Sequence, residues 1–159
     1  MNQPITIKFL RDCQQHIPYL AQLWFEEISQ HWVPNASVER AHDLLLKHVN
    51  ISNQLPMTFV AFVDNTPIGM ASLRENDGIR SDCTPWLGSL IVDPTCRQQG
   101  IGEQLIEAVK QQAKLLHYSE LYLLAFDPTI PTWYSRLDCL PVGSDQLFGH
   151  PVAVMNIAL

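Results

Sequence analysis

The chain has 159 residues, 47% hydrophobic and 16% charged, a composition suited to one domain with a single sizeable core rather than to a disordered chain. Ten Lys and Arg against sixteen Asp and Glu give a net charge of −6, which argues against a nucleic-acid backbone as the main partner, because phosphate binding needs a basic face. The four cysteines (Cys13, Cys83, Cys96, Cys139) form no C-x-x-C pair and the six histidines are scattered, so neither a zinc site nor a disulfide framework is expected.

The start, Met1-Asn2-Gln3-Pro4-Ile5, lacks a basic region followed by an apolar run, and no segment reaches the length of a membrane span. A protein of the reducing cytoplasm, with no membrane partner, is the expectation. Ile5–Phe9 alternates apolar and polar residues and predicts a short strand. Ile17, Leu20, Ala21, Trp24 and Ile28 recur at steps of three and four, which makes one face of a helix with Pro18 in its first turn. Ser37 is placed to cap a second helix that buries Val38, Ala41, Leu45 and Val49.

Met57–Val63 and Ile68–Leu73, joined through Asp64-Asn65-Thr66-Pro67, predict a β-hairpin. Asn76–Pro85 reads as a loop and Trp86–Val92 as the next strand, closed by Asp93-Pro94. Leu105, Ile106, Val109 and Ala113 mark a helix running to about His117, and Glu120–Ala125 another strand. A short helix is expected near Thr132–Leu137. A final antiparallel pair, Val142–Phe148 and Val152–Leu159, is expected to turn at Gly149-His150-Pro151. The order is β-α-α-β-β-β-α-β-α-β-β. It predicts an α/β fold, a mixed sheet flanked by helices, formed by residues 1–159 as one domain.

The segment from Leu90 to Leu105 carries the chemistry. An apolar strand ends, the chain turns through Arg97-Gln98-Gln99-Gly100-Ile101-Gly102, and an amphipathic helix starts at once. The first turn of such a helix has N–H groups without internal partners and the positive end of the helix dipole, so it suits a pyrophosphate that glycines let come close. A dinucleotide-binding fingerprint needs a third glycine where Leu105 stands. A nucleoside-triphosphate loop needs Gly-Lys-Ser/Thr, and Gly102-Glu103 does not supply it.

Arg97-x-x-Gly100-x-Gly102, directly after a strand ending Val92-Asp93-Pro94, resembles the coenzyme A-binding motif of the GCN5-related N-acetyltransferase (GNAT) superfamily, of the small bacterial type. The element order matches that fold along nearly the whole chain. The resemblance implies an acetyl-CoA-dependent N-acetyltransferase that moves an acetyl group to a primary amine by direct attack on the thioester. The acceptor would be a small molecule or a peptide, and no metal would take part. By the same resemblance the amides of Gln98, Gln99, Gly100, Ile101 and Gly102 hold the pyrophosphate, with Arg97 opening the loop. The strand residues Leu90, Ile91 and Val92 line the pantetheine arm. The Leu90 N–H faces the thioester carbonyl, and the Tyr134 hydroxyl, following Trp133, protonates the leaving sulfur.

After Tyr134 the family's usual Leu-Gly-Phe is replaced by Leu137-Asp138-Cys139. Where several members carry a catalytic glutamate, this chain has Trp86. The candidates for the general base are therefore Asp82, favoured for its place in the loop, then Glu75, Glu26 and Glu27. His31 and Trp32 are candidates for the acceptor pocket, while His117 and His150 read only as helix-end and turn residues. A non-catalytic acyl-CoA-binding or regulatory domain of the same fold is the alternative, and a binder of another nucleotide a further one. The last antiparallel pair offers an edge on which a second copy could form a homodimer.

Overall fold

The computed structural model describes residues 4–50, 54–80 and 82–159. Seven strands form one sheet: β1 (Ile5–Phe9), β2 (Met57–Val63), β3 (Thr66–Arg74), β4 (Trp86–Val92), β5 (Glu120–Ala125), β6 (Leu140–Leu147) and β7 (His150–Ala158). Their spatial order is β1-β2-β3-β4-β5-β7-β6. Every neighbouring pair is antiparallel except β4 and β5, which run parallel because a helix connects them. The α/β expectation, a mixed sheet with helices on its faces, is what the structure contains.

The helices are α1 (Ile17–Trp24), α2 (Gln30–Trp32), α3 (Val38–Leu46), α4 (Ile101–Leu115) and α5 (Ile130–Ser135). The apolar stripe of α1 buries Ile17, Leu20, Ala21 and Trp24 as its spacing predicts. Ser37 caps α3 by accepting from the Arg40 N–H at 3.1 Å, and Ala41 and Leu45 point inward. On α4, Leu105, Val109 and Ala113 are each 0% exposed and lie against the opposite face of the sheet. The central strands are therefore covered on both sides. Phe59 and Ala61 of β2 face α4, while Val60 and Phe62 face α1 and α3, so the strand is apolar throughout rather than alternating.

Several boundaries differ from the sequence expectation. Between α1 and α2, Phe25–Ser29 forms a wide π turn, a change of helical period that apolar spacing does not reveal. Helix α5 starts at Ile130 rather than Thr132, with Pro131 in its first turn where a missing N–H costs nothing. The last hairpin turns at Phe148-Gly149, both at positive φ (54° and 78°), so His150 and Pro151 already belong to β7. Strand β6 forms one edge of the sheet and leaves Leu140 and Val142 exposed.

Candidate active site

The site begins as a defect in β4. Met70 pairs with Ile91 and Ser72 with Gly88, so three steps on β4 oppose two on β3, and the extra residue is accommodated by a bulge at Ser89-Leu90. Ser89 sits at φ 51°, in the left-handed region, which turns the strand. On its other side β4 pairs with β5 only through Trp86–Tyr122 and Leu87–Leu123. Beyond those two rungs the strands part, and Leu90 has no Cα partner in either ladder. The opening widens into a cleft of about 1220 Å³.

At one end of the cleft lies the N-terminus of α4. Gly100 occupies its cap position at φ 77°, a conformation that favours glycine, and a side chain there would point into open space. The first intrahelical bond is from the Gln104 N–H to the Gly100 carbonyl at 3.2 Å, so the amides of Ile101, Gly102 and Glu103 precede the helical ladder. Gly102 has a different reason: a Cβ there would meet the Trp133 ring at 3.3 Å. Trp133 thus packs against the first turn of α4 and, edge to face, against Tyr134.

Arg97 does not reach freely into the cleft. Its Nε donates to the Val92 carbonyl at 3.2 Å and its Nη2 pairs with Glu27 Oε2 at 2.7 Å, which ties the loop to the π turn. Gln98, Gly100, Ile101 and Gly102 line the cleft together with Leu90, Ile91, Val92 and Arg97, whereas Gln99 is exposed and stands outside it.

Tyr134 also lines the cleft and is 6% exposed. Burial pushes its phenol well above the ordinary value, with the nearby Cys139 and Asp77 adding to the effect, so the hydroxyl keeps its proton. The replaced Leu-Gly-Phe triplet does not disturb this placement. Asp138 adopts φ 62°, the conformation a glycine takes at a helix end. The N–H groups of Leu137 and Cys139 both return to the Tyr134 carbonyl, at 2.9 and 3.3 Å, and Cys139 is buried.

The acidic candidates separate. Asp82 is exposed and lies outside the cleft lining, as does Glu26, whose side chain is engaged by Gln22 at 2.6 Å. Glu27 lines the cleft but is held by Arg97, and Glu75 lines it from an exposed position. His31 is exposed and contacts the Glu26 carbonyl. Trp32 does line the cleft. It stacks on Phe126 at 5.3 Å, and His150 packs edge-on against both rings, a contact that its expected place in a turn does not suggest.

Sequence reasoning passes over Arg74 and Asp77. Arg74 closes β3 and projects into the cleft, where its Nη1 pairs with Asp77 Oδ1 at 2.7 Å and its Nη2 donates to Ser89 Oγ. Their side chains are only 16% and 12% exposed. Burial raises the Asp77 carboxyl above the ordinary carboxylate value, against the opposing pull of the Arg74 charge and hydrogen bond. Behind this pair runs a buried chain: His48 Nδ1 meets Thr58 Oγ1 at 2.7 Å, which meets Ser72 Oγ at 2.7 Å. The only sequence signal was a charged residue ending an otherwise apolar strand. Among the described residues, no group of three His, Cys, Asp or Glu side chains is arranged to hold a metal ion.

Taken with the strand order, the bulge and the opened seam define a fold used by acyl-group transferases. The chain belongs to the acetyltransferase (GNAT) family, whose description matches residues 19–133. Members of this family use acetyl-coenzyme A. Solved structures share the fold at low identity. An acetyltransferase of the GNAT family from Staphylococcus aureus Mu50 superposes with a TM-score of 0.74 at 16% identity, over 98% of this chain and 99% of that one. N-acetylglutamate synthase from Neisseria gonorrhoeae, complexed with coenzyme A and N-acetyl-glutamate, gives 0.72 at 19% identity, over 100% of this chain. The present chain spans 36% of that protein's length. The NatC complex bound to Gag peptide and coenzyme A contains a chain that gives 0.70 at 17% identity, with 98% of each chain covered. Among curated proteins, none matches this chain in sequence. Among the described residues, no helix is long and apolar enough to cross a membrane.

Proposed function

We propose that residues 1–159 act as one catalytic domain, an N-acetyltransferase that moves the acetyl group of acetyl-coenzyme A to a primary amine. The observation that carries the proposal is the meeting, in one cleft, of three things the reaction needs. These are an unpaired strand residue at Leu90, a buried neutral phenol at Tyr134 and a helix N-terminus opened by Gly100. The coenzyme A and acylated or peptide ligands of the Neisseria and NatC relatives support the choice of donor and of an amine acceptor.

The residues present suit coenzyme A. The open space over Gly100 and the leading amides of α4 would receive the pyrophosphate, with Gln98 and the Gln99 backbone beside them and Arg97 fixing the loop. The β5-facing edge of β4 from Leu90 to Val92, which pairs with no β5 residue, would take the pantetheine arm as an added strand. When bound, the coenzyme supplies an activated acetyl thioester. The Leu90 N–H then stabilises the charge that develops on the thioester oxygen, a donor whose loss typically costs ~3 kcal/mol in barrier.

An amine must be neutral to attack, and Asp77, paired with Arg74 in the cleft and near enough to Tyr134 for its charge to act on the phenol, is the carboxylate assigned to take its proton. Asp82, outside the cleft, has no such support. The nitrogen–carbon bond forms as the carbon–sulfur bond breaks. Tyr134 gives its proton to the departing sulfur, and the proton lost from nitrogen restores it. Four unbridged cysteines support a reducing, cytoplasmic setting.

The test is release of free thiol from acetyl-CoA in the presence of a panel of amines, with Tyr134→Phe as the variant. The expected result is turnover in the wild type, a loss of roughly 10²-fold or more in the variant, and unchanged coenzyme A affinity. Unchanged turnover would remove Tyr134 from its role. Thermal stabilisation by NAD or ATP but not by coenzyme A would overturn the choice of donor.

A further inference from the structure

The cleft contains a guanidinium whose donors the described residues leave largely unsatisfied. Arg74 has five N–H donors, and among the described residues it uses one for Asp77 and one for Ser89. Among the described residues its Nε is buried with no hydrogen-bond partner. Burying a charged donor without a partner is costly. The Nε faces Gly88, so the donors left for an acceptor in the cleft are the second hydrogens of Nη1 and Nη2. The Ser29 hydroxyl, a second buried donor without a partner among the described residues, lines the same cleft.

The surroundings are shaped to hold the guanidinium where it is. A Cβ at position 88 would stand 3.0 Å from the Arg74 Cζ, so glycine there makes room for the head group. The Trp24 ring lies 5.5 Å from the Cζ and supports it from the side. Ser89, which fixes the Nη2, is the residue whose left-handed φ creates the bulge beside Leu90. The cation is therefore held one residue away from the backbone N–H to which acyl chemistry is assigned above.

Asp77 contributes the opposite charge 2.7 Å away. Its Oδ1 is taken by Arg74, and its Oδ2 has no hydrogen bond among the described residues. Side by side, a fixed cation with spare donors and a carboxylate with a spare acceptor present both signs over the span of one small group. An amine and a carboxylate carried on the same carbon match that arrangement. A simple amine or a polyamine would satisfy Asp77 and leave Arg74 as it is. The aromatic and aliphatic wall of Trp24, Ile28, Trp32 and Phe126 leaves space for an apolar substituent on that carbon.

We infer that the acceptor subsite takes a free α-amino acid, its carboxylate received by Arg74 and its amine by Asp77. The inference builds on the acetyl-transfer reading, but it assigns a binding preference that can be measured without turnover.

The probes are leucine, methionine, phenylalanine and glutamate, each beside its carboxamide, with coenzyme A present for binding and acetyl-CoA present for thiol release. Wild type is expected to favour at least one amino acid over its amide by roughly 10–100-fold, the worth of a hydrogen-bonded charge pair. Arg74→Gln should bring that ratio close to one while the thermal shift given by coenzyme A persists. Should Arg74→Gln fail to fold, Gly88→Ala crowds the guanidinium without removing it and should lower the ratio in the same direction. A wild type that distinguishes none of the four from its amide overturns the inference, and so does a ratio that survives in whichever variant folds. Selective binding without thiol release for any amine would sink the acetyl-transfer reading and leave the subsite standing. Thiol release confined to the carboxamides would do the reverse.

Discussion

Acidification from pH 7 to pH 5 should destabilise the protein through His48. The side chain is 3% exposed and packed between α3 and the sheet, where its Nδ1 meets Thr58 Oγ1 at 2.7 Å. Burial, and then the charge of Arg74, lower its pKa from 6.5 to about 3. A depressed value means that the folded state holds the ring neutral while the unfolded chain takes up a proton below pH 6.5. The contribution is therefore fully present above the unfolded value and is lost as the pH falls toward the folded one. At pH 5 nearly every unfolded chain carries the proton and almost no folded one does, so integration between pH 7 and 5 gives a loss of about 2 kcal/mol. Urea midpoints at pH 7, 6 and 5, at constant m-value, measure it. Other groups titrate as well, so the comparison is with His48→Gln, which can still hydrogen-bond Thr58 but cannot be protonated. The variant should be less stable at pH 7, with a pH dependence shallower by about 2 kcal/mol over the same interval. Parallel curves for the two proteins would refute the reasoning, because the ring would then be reached by water or protons in the folded state.

Asp77→Asn should lower kcat by roughly 10²-fold or more and remove the acidic limb of the kcat/KM profile. Because burial raises the carboxyl, that limb should lie above the ordinary carboxylate value of about 3.9, and a limb unchanged in the variant would assign the base elsewhere. Gly102→Val places a side chain against the Trp133 ring, which a single Cβ already approaches to 3.3 Å. It should cost about 1–3 kcal/mol by overpacking and weaken coenzyme A binding, both read from thermal denaturation with and without the ligand. Trp86→Ala empties a site that is 0% exposed and removes the indole bond to the Cys83 carbonyl at 2.8 Å. A loss of about 3–5 kcal/mol in urea unfolding is expected, and a loss below 1 kcal/mol would contradict its role at the β4–β5 junction.

The parts of this protein legible in the sequence are those whose cause is local. The strands Ile5–Phe9, Met57–Val63, Trp86–Val92 and Glu120–Ala125 match their predicted limits because β-branched and aromatic runs and their flanking turn residues act over a few positions. The glycine turn was legible because backbone conformation alone demands it at Gly100. Boundaries slipped where a residue did something its type seldom does. Phe148 and Asp138 accept left-handed conformations, and the π turn at Phe25–Ser29 changes the helical period without changing the apolar pattern. The Arg74–Asp77 pair was invisible for another reason. Its support comes from Ser89 and Gly88 on a neighbouring strand and from Trp24 on a helix, contacts set by register and packing rather than by spacing along the chain. Asp82 and Asp77 lie in the same loop, and only the fold separates the one outside the cleft from the one inside it.

The two rungs that join β4 to β5 make the seven-stranded sheet, in mechanical terms, a pair of plates sharing a short hinge. On one side β1 to β4 are stitched together, interrupted between β3 and β4 by the bulge at Ser89-Leu90, and on the other β5, β7 and β6 are stitched as well. Any molecule that lies in the seam and hydrogen-bonds its edges acts as a staple between the plates. Its binding energy then appears as resistance to opening along the whole of β5 and β7, including residues it never touches. Amide exchange in those strands is thus a gauge of occupancy, and substrate binding and sheet integrity become one equilibrium.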